Sequence, residues 1–128
     1  MFNGRKRDQA RAEASAENRR REDAAPRLLA RVPQLQSLRL KFEEMRENGG
    51  STAASYARPI VVATAPAFFE VRCTEPRCDG RHDLTVPILR ALSDHLTTYE
   101  GESVCRGVIN DALCDRTLKY SCEATYFG

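Results

Sequence analysis

Two local cysteine pairs are the residues best placed to do chemistry: Cys73-x4-Cys78 and Cys105-x8-Cys114. Short loops bring such pairs together, and two of them supply the four thiolates of a tetrahedral metal site. Sulfur is a soft donor, so the set favours zinc or iron over magnesium or calcium. Cys78-Asp79-Gly80 and Cys105-Arg106-Gly107 each place a glycine two residues after a cysteine. There the chain can turn so that a backbone N–H points at the sulfur, and glycine admits the positive φ such a turn often needs. The expected ligands are therefore Cys73, Cys78, Cys105 and Cys114, with zinc as a structural cofactor. His82, four residues after Cys78, has three open roles: substitute ligand, hydrogen-bond partner of a sulfur, or histidine with no part in the site.

Cys122 reads differently. Leu118, Tyr120, Cys122, Ala124 and Tyr126 alternate with Lys119, Ser121, Glu123 and Thr125. That period marks a half-buried strand with Cys122 as a small core residue.

Other chemistries lack their motifs. There is no glycine-rich phosphate loop and no Gly-x-Ser-x-Gly elbow. The His-x-Glu and Cys-x2-Cys of zinc deaminases are missing, as is a thioredoxin-type Cys-x2-Cys. Four thiolates would close a metal's shell, whereas hydrolytic zinc needs an open position. The expectation is a non-catalytic module. The site type resembles zinc-ribbon and treble-clef modules over residues 73–114, although both pairs depart from the common Cys-x2-Cys form.

The elements that must position these cysteines divide at about residue 31. The chain has 128 residues and a net charge of +2, which allows one compact domain. The charge is unevenly spread, at +4 over residues 1–48 and −2 over 49–128. Nine Lys/Arg precede Val32, against five acids. Between Arg5 and Ala25 the apolar residues are all alanine, so the segment favours helix yet has no oily face to dock. Residues 1–31 are expected to be a mobile, partly helical basic arm, and residues 32–128 the cysteine-rich domain. Arg5, Lys6, Arg7, Arg11, Arg19, Arg20 and Arg21 are the candidate contacts to an acidic macromolecule, RNA, DNA or protein. The alternative is a protein–protein adaptor, with a metal-dependent or redox enzyme as a third possibility.

Within the domain, Leu38, Leu40 and Phe42 alternate with Arg39, Lys41 and Glu43, which favours a strand over 37–45. Leu35, Leu38, Phe42 and Met45 would also suit a helix. Asn48 to Thr52 reads as a loop, and Ile60 to Ala63 as the core of a returning strand at 58–64. Phe68 to Arg72 leads into the first cysteine pair. Thr85 is the expected N-cap of a helix with Pro87 in its first turn and Ile88, Leu89, Leu92 and Leu96 on its packed face. Ser103–Cys105 and Arg116–Phe127 complete the strands. The fold class is α+β: a small antiparallel sheet, one packed helix and a zinc-knuckle-type site. No run reaches the roughly 20 apolar residues of a membrane span. Unpaired cysteines in a chain without a secretory signal fit a cytoplasmic protein.

Overall fold

A computed structural model describes residues 2–47 and 50–128, with the side chains of 2–8, 10 and 11 left aside. Helix α1 spans Phe2–Ala24 and a one-turn α2 spans Leu28–Arg31. Strands β1 (Leu35–Arg46) and β2 (Ser51–Ile60) form a hairpin. A short ribbon, β3 (Glu70–Arg72) and β4 (Arg81–Asp83), precedes α3 (Thr85–Ser93). Strand β5 (Thr98–Val104), the miniature hairpin β6 (Val108–Ile109) and β7 (Ala112–Leu113), and β8 (Thr117–Tyr126) follow. The main sheet is antiparallel in the order β2-β1-β8-β5. The α+β expectation therefore holds; of the three helices among the described residues, α3 is the expected packed helix, α1 lies in the arm expected to be partly helical, and the one-turn α2 is additional.

Alternation places β1 and β8 at the centre of the sheet. Leu38, Leu40 and Phe42 turn inward opposite Ala124, Cys122 and Tyr120. Ile88 and Leu92 of α3, Leu28 of α2, and Ala67, Phe69 and Val71 cover that face and complete the core. Leu28 is fixed by the chain returning past it: its N–H donates to Ala65, and Ala67 N–H donates to Pro26. Burying side chains of this size stabilises by roughly 1.5–3 kcal/mol each.

Three local expectations are corrected. The returning strand is Ser51–Ile60, not 58–64, and it pairs tightly, Ser51 with Arg46 and Thr52 with Met45. The Asn48-Gly49 part of the expected loop lies outside the described residues. Ile60 ends the strand, and Val61 O then accepts the N–H groups of Thr64 and Ala65 in a turn. Helix α3 has Leu84 at its N-cap, and Thr85 is its first residue. Asp83 Oδ1 accepts Thr85 N–H, and Thr85 Oγ1 accepts Phe69 N–H at 2.8 Å. Ile88, Ala91 and Leu92 are the buried residues of α3, whereas Leu96, expected on that face, lies past the helix end and is exposed. Among the described residues, no helix is long and apolar enough to cross a membrane.

Candidate metal centre

Four separate junctions deliver the cysteines. Cys73 follows β3, Cys78 precedes β4, Cys105 follows β5, and Cys114 lies between β7 and β8. Backbone bonds hold each junction: Cys73 N–H donates to Gly80 O, Cys78 N–H to Glu75 O, Cys105 N–H to Arg116 O, and Cys114 N–H to Gly107 O. The β6–β7 turn is made by Asn110 and Asp111, both left-handed at φ 50° and 65°. Two such residues define the tight turn that suits a two-residue hairpin.

The four Sγ atoms lie within 4.8 Å of one another, and all four residues are buried. Cys78 and Cys105 sulfurs are 3.6 Å apart, and those of Cys73 and Cys114 3.9 Å. Four thiolates around a metal with bonds of about 2.3 Å stand about 3.8 Å apart at the edges of a tetrahedron. A disulfide would bring two sulfurs to about 2.05 Å, and all five cysteines are free. The donor set thus fits one tetrahedrally bound metal ion.

Backbone N–H groups aim at two sulfurs: Gly80 N to Cys78 Sγ at 3.3 Å and Gly107 N to Cys105 Sγ at 3.4 Å. The glycines are needed for space, since neither adopts a positive φ. A Cβ on Gly80 would press into the Cys105 sulfur, and one on Gly107 into the Cys78 sulfur, both inside contact distance. Each knuckle is therefore shaped around the other's ligand.

Burial pushes the Cys73 thiol up, and it pushes Cys105 up to about 12 against the opposing bond from Gly107 N–H. A cation entering this cluster displaces protons that the low-dielectric site would otherwise retain.

A buried ion pair braces the first knuckle. Glu44 is fully buried. Its Oε1 accepts from Arg116 Nη1 at 3.0 Å and lies 3.5 Å from Cys73 Sγ, and its Oε2 accepts Thr74 N–H at 3.1 Å. Arg116 also reaches Thr74 Oγ1 and Glu75 Oε2. The alternation of β1, carried two residues past Phe42, puts Glu44 on the inward face, so a signal for it was present. Its partner Arg116, 72 positions away, had none.

His82 lies outside the sulfur group. It is buried, its Nδ1 is 2.8 Å from Ser103 Oγ, and its Nε2 has no hydrogen-bond partner among the described residues. Burial lowers its pKa against the opposing pull of Glu44. Cys122 is buried in the sheet core opposite Leu40 and Tyr99, and burial pushes its thiol up to about 11.

The basic arm divides. The side chains of Arg5, Lys6, Arg7 and Arg11 lie outside the described residues. Arg19 and Arg20 are exposed, and Arg20 pairs with Glu17 one turn back. Arg21 instead turns to the domain and pairs with Glu70 and Asp83. No protein-family model, curated protein or solved structure matches this chain.

Proposed function

We propose that this chain is a non-catalytic, intracellular zinc module that recognises an acidic macromolecule. The buried, mutually close set of Cys73, Cys78, Cys105 and Cys114 carries the reading. Bound zinc would replace the thiol protons and tie β3, β4, β5 and β8 at one point. Four sulfurs complete its shell, which leaves no position for a water nucleophile. The sheet alone is a small unit, and domains of this size gain from such a staple.

The partner on this reading is RNA or DNA, met by the arm. Support comes from the concentration of arginine and lysine before Val32 and from the exposure of Arg19 and Arg20. The test is binding of the metal-loaded full chain to a single-stranded oligonucleotide across a salt series. A log–log slope of roughly −0.7 per phosphate contacted is expected, and deletion of residues 1–25 should abolish binding.

One observation favours a second reading, a protein adaptor. Val104, Val108 and Leu113 are 57%, 47% and 75% exposed beside the cysteine cluster. Val108 and Leu113 pair across the miniature hairpin, so their side chains share one face. Salt-insensitive retention of a protein partner, lost on Leu113→Ser, would favour that reading.

A further inference from the structure

Helix α1 has no apolar stripe, yet part of it packs against the domain through polar groups. Arg81 of β4 donates to Ser15 Oγ at 3.1 Å. The Asn18 amide lies 3.1 Å from Glu70, and assigning its nitrogen to the side facing that carboxylate lets it donate there. Arg21 makes the strongest set of contacts. Its Nη1 is 3.2 Å from Glu70 Oε2 and its Nη2 2.7 Å from Asp83 Oδ2, and its guanidinium lies 5.2 Å from the centroid of Phe68.

Glu70 and Asp83 are paired across the β3–β4 ribbon, which sets their carboxylates side by side. The side chain of Glu70 is only 4% exposed, and Arg81 holds it from its own ribbon at 3.4 Å. Two carboxylates and an aromatic face make a complementary seat for one planar guanidinium. We propose that Glu70, Asp83 and Phe68 form an arginine-binding site on the folded domain, occupied in cis by Arg21, which latches the arm to the ribbon. The outer half of the contact is open to solvent, with Asp83 44% and Arg21 47% exposed, so salt weakens it. If the nucleic-acid reading above holds, phosphates compete with these carboxylates for Arg21, and binding opens the latch.

The test uses the metal-loaded full chain without nucleic acid. Heteronuclear NOEs over residues 12–24 and tryptic cleavage after Arg19 and Arg20 report arm mobility. Arg21→Gln alters the arm alone, and Asp83→Asn keeps an oxygen for Thr85 N–H. Each should lower the NOEs and speed cleavage about five-fold with the melt of the domain unchanged, and about 0.5 M salt should do the same to the native chain. An arm as mobile and as readily cleaved in the native chain at low salt as in both variants would overturn the latch. Adding a single-stranded oligonucleotide separates the two ideas. Tighter binding by Asp83→Asn supports both. A latch that responds to the variants in a chain that binds no oligonucleotide stands, while the nucleic-acid reading falls.

Discussion

Glu44 and Arg116 meet at 3.0 Å in the interior, beside Cys73 and between the sheet and the first knuckle. The Glu44 side chain is fully enclosed and that of Arg116 is only 10% exposed, so each leans on the other for the contacts that water would otherwise supply. Glu44→Ala would leave the Arg116 guanidinium with Glu75 Oε2 at 3.4 Å as its remaining carboxylate. A loss of about 3 kcal/mol is expected in urea unfolding of the zinc-loaded protein. Replacing both partners by methionine should cost less than the single change, because no orphaned charge is left.

Gly80→Ala and Gly107→Ala test the crosswise packing of the knuckles. Each adds a methyl against the sulfur of the opposite knuckle. Metal affinity should fall about 10- to 100-fold, as when groups that orient ligands are disturbed. Competition with a chromophoric chelator measures it.

Cys122→Ala should leave metal content unchanged and cost about 1 kcal/mol, the size of a small cavity. Elemental analysis and urea titration of the purified variant check the two parts.

The same thiol gives a pH dependence. Its folded pKa of about 11 lies above its ordinary value of 9.0. The stability it contributes is complete below pH 9 and is lost as pH rises towards 11, because the unfolded chain releases the proton first. Chemical denaturation between pH 8 and 11 should therefore show a steeper alkaline decline for the native chain than for Cys122→Ala, the tyrosines being common to both.

His82 works in the opposite direction. Its folded pKa is depressed, so its contribution is present above about pH 6.5 and fades as pH falls, when the unfolded chain takes up the proton. His82→Gln should flatten the decline between pH 7 and 5 at constant metal loading.

The central strands and the thiol cluster were legible in the sequence because their signals are local. Leu38, Leu40 and Phe42 alternate with charges, and Leu118, Tyr120, Cys122 and Ala124 alternate with the polar Lys119, Ser121, Glu123 and Thr125. The cysteine pairs announced their loops. Strand β2 was misread because Ser51–Ile60 is an edge strand rich in Ala and Ser, with little burial to shape its pattern. The β-branched Ile60–Val62 run instead closes one end of the core, with Ile60 and Val62 packed against it and Val61 exposed. The miniature hairpin is too short for periodicity, although Asn110-Asp111 is a turn signal. The Glu44–Arg116 pair and the seating of Arg21 depend on tertiary proximity across 72 and 62 positions, which no local pattern encodes.

The central claim is one zinc held by four cysteines. Native mass spectrometry of chain purified without chelator, before and after chelator treatment, tests it most directly, with elemental analysis naming the metal. The account predicts one zinc per chain, with two protons fewer at a given charge state than the metal-free form, and loss of the cooperative melt on removal. Cys73→Ser or Cys114→Ser should abolish the zinc adduct. A metal-free chain that melts cooperatively as purified would contradict the account.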